Sequence, residues 1–162
     1  METDSNMKIR LNRQEDFSAR SGQVLFQSEP LQITKERIQA YCRSVDQLDW
    51  FHFDEARCTQ SEFGALIAPG TLSLALIHST YFRHVELIDL KALFIGADDF
   101  RVMRPIKAGE FLILNFRIGE VIERHEGFRV SYDFEWLETA GDSVTAGTFL
   151  VRYWPVKENE TS

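Results

Sequence analysis

A chain of 162 residues, 44% of them hydrophobic, is the size of one domain and long enough for one substantial core. Its formal net charge of −7, with no basic stripe set against it, argues against nucleic acid as a partner. No apolar run approaches membrane-spanning length, which argues against a membrane role.

The opening charged stretch, residues 1–20, carries no signal-peptide pattern and is expected to be a flexible N-terminal arm. Val24, Phe26 and Ser28 alternate with Gln23, Gln27 and Glu29, which predicts a short strand. Thr34 is placed to cap a helix in which Ile38, Tyr41, Cys42 and Val45 recur at helical spacing. Residues 46–53 read as a loop, and Asp54 is placed to cap a short helix from Glu55 to about Gln60. Pro69-Gly70 then turns the chain into Thr71–Phe82, apolar nearly all round and so expected to be buried on most sides.

From Ala92 the period changes to two. Leu112, Leu114, Phe116 and Ile118 form one apolar face, and Phe128, Val130, Tyr132, Phe134 and Trp136 form another. Turn signals at Ala108-Gly109, His125-Glu126-Gly127 and Ala140-Gly141-Asp142 join these runs as antiparallel strands. The tail, 157–162, is polar and expected to be flexible. One strand, a helical segment with a buried helix, then long antiparallel strands is the chain order of an α+β hotdog fold. A long sheet wraps a central helix over residues 21–156 as one domain. The sheet edge left over predicts a two-fold homodimer.

The chemistry concentrates in Asp46-Gln47-Leu48-Asp49-Trp50-Phe51-His52-Phe53-Asp54. A lone histidine among aromatics with carboxylates on both sides, followed by a turn into an apolar helix, supplies the parts for acid–base work on a carbonyl compound. His52 and a carboxylate move protons, and the backbone amides of Gly70 and Thr71 meet a developing oxyanion. The alternative for His52 is a histidine that only anchors its loop. For Asp46 it is a turn or a helix C-terminal residue. Trp50, Phe51, Phe53 and Phe63 are placed to line a greasy tunnel, or to form core. His78 lies inside the apolar helix and reads as a core histidine, while His84 and His125 read as surface residues. Arg101, Arg104 and Lys107 put three cations near one sheet edge, as phosphate partners or as solvated charge. Cys42 and Cys58 have no metal-ligand spacing and read as core thiols of a reducing compartment, and no metal is expected. The protein is therefore expected in the cytoplasm.

These segments resemble the MaoC-like family of hotdog dehydratases and (R)-specific enoyl-CoA hydratases over roughly residues 22–155. The loop from Asp46 to Asp54 with Glu55-Ala56-Arg57 is similar to the family's Asp…His-x-Asp-x-x-x-Ala segment. Phe63–Gly70 is similar to its Phe-x-x-x-Ile-Ala-His-Gly approach to the central helix, and Phe100–Glu110 to its Phe-x-x-Pro-Val-x-x-Gly-Asp turn. The resemblance implies reversible hydration of a trans-2-enoyl thioester to a 3-hydroxyacyl thioester, a lyase reaction of fatty acid or polyketide metabolism. It implies no cofactor beyond the thioester carrier, CoA or acyl carrier protein. His52 would act at carbon 2, with Asp46 on the water added at carbon 3.

The family's Asp stands five positions before its His; here that position is Gln47, with Asp46 six before and Asp49 three before. A one-residue bulge in the loop restores Asp46 to the role, and Asp49 is the fallback. The family's His before the helix glycine is Pro69, and the helix Glu of the dehydratases acting on acyl carrier protein is replaced by Ala75. Two other functions remain open: a hotdog thioesterase using a carboxylate-activated water, and a non-catalytic acyl-binding module, which Gln47 in the acid position would favour.

Overall fold

The computed structural model describes residues 7–157. Its long strands follow from the period-two runs. β8 (Phe111–Arg124) and β9 (Gly127–Glu138) bury alternate residues, and β10 (Ser143–Pro155) completes two hairpins. Phe116 stands opposite Phe134, and Val130 opposite Val151. Alternation in sequence thus becomes one apolar sheet face.

The first half supplies the elements that close this face. In chain order they are β1 (Ile9–Leu11), α1 (Gln14–Ser18), β2 (Val24–Gln27), β3 (Leu31–Gln32) and α2 (Lys35–Ser44). A 3-10 turn (Trp50–His52), α3 (Glu55–Thr59), β4 (Ile67–Ala68), α4 (Gly70–His84), β5 (Val85–Leu87), β6 (Leu90–Val102) and β7 (Ile106–Lys107) follow. The main sheet runs β2-β8-β9-β10-β6, with β3 also pairing β8. Two small ladders stand apart, β1 with β5 and β4 with β7. Thr34 caps α2 by accepting from the Arg37 amide (3.2 Å), and Asp54 caps α3 by accepting from the Arg57 amide (3.0 Å).

α4 is the filling of the sheet. Leu72, Ser73, Ile77, Thr80 and Tyr81 are buried, and the Tyr81 ring meets those of Phe116 and Tyr132 at about 6 Å. The helix is not covered all round, as its apolar sequence predicts. Thr71, Ala75, His78 and Ser79 form an exposed stripe.

The N-terminal segment departs from the expected flexible arm. From Met7 it belongs to the body: β1 pairs in parallel with β5, and Leu11 and Phe17 are fully buried. Phe17 fills the open end of the sheet against Phe128 (5.1 Å) and Tyr153 (4.8 Å). Burying one such ring is worth about 1.5–3 kcal/mol, enough to hold a short charged segment down. Residues 1–6 and 158–162 of the expected arm and tail lie outside the described residues.

Candidate active site

The site begins where α2 ends. The Gln47 amide donates to the Cys42 carbonyl (2.9 Å) and the Asp46 amide lies 3.4 Å from the Arg43 carbonyl, while Asp46 has φ 55°. This is a Schellman-type helix end with Asp46 as its left-handed residue, a position aspartate tolerates better than most. The motif fixes the phase of the loop. Asp46 is exposed, and Gln47 folds back under the helix end.

His52 closes the 3-10 turn and is 1% exposed. Its Nδ1 lies 2.6 Å from the Ile67 carbonyl, which can only accept, so Nδ1 carries the proton in the neutral ring. Nε2 is then a lone pair, and the Gln47 side-chain amide donates to it at 3.2 Å. The expected bulge placing Asp46 beside His52 does not form. Gln47 holds that position, and the helix end at Asp46 is the physical reason. Asp49, the fallback, is exposed and meets His52 only through its backbone, where its carbonyl accepts from the His52 amide at 3.1 Å.

Ile67 belongs to β4, and three residues on α4 begins at Gly70. A Cβ on Gly70 would fall 2.5 Å from Cγ2 of Val102, so any larger residue there has to push that side chain of β6 aside. The first turn of α4 is pinned from the sheet side. Ser73 Oγ donates to the Gly70 carbonyl (2.8 Å), Thr145 Oγ1 donates to Ser73 Oγ (3.0 Å), and Trp136 Nε1 donates to the Ser73 carbonyl (2.9 Å). Thr71 is exposed and its hydroxyl accepts from Tyr41 at 3.1 Å. The Gly70 and Thr71 amides sit at the helix positions that lack an intrahelical acceptor.

Trp50, Phe51 and Phe63 do not line a tunnel along α4. Their rings pack on one another at 5.6–6.1 Å around the 3-10 turn, with the Arg57 guanidinium 4.0 Å above Trp50. Phe53 lies beneath the guanidinium of Arg43. The open groove beside α4, about 330 Å3, is lined instead by Tyr41, Thr71, Leu74, Ala75, His78, Phe94 and Phe149. Tyr41, Phe94 and Phe149 are not flagged by the sequence, because each falls on a periodic position indistinguishable from core. His78, expected in the core, is on the exposed stripe. His84, expected at the surface, is half-buried and stacks on Phe26 at 4.4 Å.

Arg104 is committed to structure: it bonds Glu110 (3.0 Å) and Glu138 (2.6 Å). Arg101 and Lys107 remain exposed. Cys42 and Cys58 are buried free thiols, both pushed up by burial and therefore poor nucleophiles. Among the described residues no group of three or more His, Cys, Asp or Glu is arranged to hold a metal, and no helix is long and apolar enough to cross a membrane.

A long antiparallel sheet wrapped around a central helix is the plan of a hotdog fold. The chain belongs to the FAS1-like dehydratase-domain family, whose model matches residues 19–146. It is 27% identical over 95 residues to 3-hydroxyacyl-thioester dehydratase Z of Mycobacterium tuberculosis, a match covering 58% of this chain and 63% of that protein, less than two thirds of its length. In fold it is similar to the monoamine oxidase regulatory protein of Archaeoglobus fulgius (TM-score 0.76, 20% identity, 93% of this chain and 99% of that one). It is also similar to the unliganded R-hydratase of Pseudomonas aeruginosa (TM-score 0.69, 23% identity, 85% and 83%). At these identities the structural likeness is one of fold, and it is the hotdog fold that the chain order predicts.

Proposed function

We propose that this protein interconverts trans-2-enoyl and 3-hydroxyacyl thioesters, with His52 as its acid–base group. The observation that carries the reading is the Nδ1 contact to the Ile67 carbonyl, which puts the lone pair of the neutral ring on Nε2, where the Gln47 side-chain amide meets it at 3.2 Å. In the dehydration direction the substrate hydroxyl draws the Gln47 amide off Nε2, Nε2 takes the proton from carbon 2, and the C2–H electron pair becomes the new C2–C3 π bond. The C3–O bond breaks, and the imidazolium returns its proton to the departing oxygen, which leaves as water. Charge gathering on the thioester oxygen between these events is met by the Gly70 and Thr71 amides. Gln47 is a neutral amide: it can hold the C3 oxygen but cannot take its proton, so His52 does both transfers.

The substrate carrier is CoA or acyl carrier protein, with no other cofactor. β6 has a neighbour on one side only among the described strands, and its Leu93 and Ile95 are exposed. A second copy pairing along that edge makes the working unit a homodimer. Two buried free thiols suit a cytoplasmic location.

A second reading, an acyl-thioester-binding module without turnover, is favoured by the Gln47 amide occupying Nε2. The hotdog thioesterase loses ground, because both ring nitrogens of His52 are met by Gln47 and Ile67 and neither by a carboxylate. Crotonyl-CoA, followed for loss of conjugated-thioester absorbance and for free thiol, decides among them. Hydration by the wild type, raised about 100-fold by Gln47→Asp, is the expected result, since a second acid–base group is worth about 10²–10⁴. Activity only in Gln47→Asp identifies the binding module, and thiol release identifies the thioesterase.

A further inference from the structure

The groove beside α4 has an end. It starts at Tyr41 and Thr71, on the first turn of the helix, and runs past Ala75 to His78, Phe94 and Phe149. Thr71 and His78 are seven residues apart, about 10 Å along the helix. There the Phe94 and Phe149 rings stack at 4.5 Å, 25° from parallel. Behind them lies a separate cavity of about 20 Å3, bounded by the same two rings and His78 and by Tyr81, Phe116 and Tyr153. That is room for one water.

We propose that the Phe94–Phe149 stack is the chain-length stop of an acyl groove, so that the protein takes short and medium acyl thioesters and excludes long ones. The proposal rests on the thioester reading for its ligand and adds the limit on its size. An acyl chain is the occupant because the groove is continuous with the helix start where the thioester carbonyl is held. Its walls beyond Thr71 are aromatic and aliphatic carbon apart from His78 at the far end. An extended octanoyl chain matches the span from Thr71 to the stack. Phe94 is 42% exposed, so the stack closes the groove without being locked into the core on both sides.

The test is calorimetric binding of saturated acyl-CoAs from butyryl to hexadecanoyl, which need no turnover. Each methylene entering the groove should tighten binding about fourfold, with the gain stopping between octanoyl and dodecanoyl. Phe94→Ala should move that break to longer chains by opening the groove into the cavity behind. Ala75→Phe, on the exposed stripe, should abolish the gain beyond butyryl. A wild-type gain that continues to hexadecanoyl overturns the proposal, as does a break that neither variant moves. Sedimentation of both variants covers the other occupant: loss of the dimer with acyl affinities unchanged makes the groove a subunit contact and also overturns it. Binding with the expected break but no hydration of crotonyl-CoA defeats the enzyme reading alone. Hydration without a break defeats the chain-length stop alone.

Discussion

Two buried polar clusters lie along α4, and they are built in opposite ways. At its start, His52 bonds to Gln47 and to the Ile67 carbonyl, groups supplied by a helix end, a 3-10 turn and a two-residue strand. Toward its far end, the hydroxyls of Tyr132 and Tyr153 are 2.7 Å apart and Tyr153 donates to Tyr81 at 3.1 Å, joining α4, β9 and β10. The tyrosines hang on three long elements of the fold, with Phe17 packed over Tyr153. The histidine hangs on the shortest. Both clusters satisfy their own polar atoms, but only the loop-borne one can rearrange without disturbing the sheet. The tyrosine end is thus built for stability, and the histidine end is where the proposed chemistry would sit.

The sharpest way to break this division is His52→Ala. Turnover of crotonyl-CoA should fall about 10²–10⁴-fold while circular dichroism stays that of the wild type. Near-wild-type turnover would remove His52 from the chemistry, and unfolding would make the loop as structural as the tyrosines.

Tyr132→Phe should do the reverse. It leaves buried hydroxyls short of a partner, costing about 1–3 kcal/mol in urea unfolding with turnover unchanged. The same cluster sets the alkaline limit. Burial pushes Tyr81 from 10.0 up to about 12, and pushes Tyr132 and Tyr153 well up. A raised folded-state pKa favours the neutral phenol in the fold. That stability is intact below about pH 10, where the unfolded chain also keeps its phenols neutral, and is lost as pH rises through about 12. Urea midpoints that stay flat across this window would mean the phenols are not held neutral by the fold.

The smallest effect belongs to Asp46→Asn. Asparagine also accepts the left-handed helix end, so stability should change by less than about 0.5 kcal/mol and turnover should hold. A steep loss of turnover would bring the Asp46 carboxylate back into the site.

The sheet was legible because period-two alternation records burial directly, from Leu112 through Trp136. His52 was legible because it stands alone between aromatics. Its partner was not, since Asp46 and Gln47 exchange roles according to the residue at which α2 turns left-handed, a one-residue phase that composition does not encode. The exposed stripe of α4 was hidden for another reason: an all-apolar helix carries no mark for the side its own chain leaves uncovered. Phe17 was hidden because its burial depends on an opening that exists only once β9 and β10 are in place.

The carbonyl that fixes the tautomer of His52 is main chain, and β4, which carries it, is itself laddered to β7 through Ile67 and Lys107. No replacement of the Ile67 side chain deletes that acceptor. The histidine's protonation pattern is thus insulated from point substitution at its own contact. It is exposed to length changes: inserting or removing one residue between Phe63 and Pro69 would slide a different carbonyl, or none, under the ring. Across related chains, this segment should drift in composition far more freely than in length.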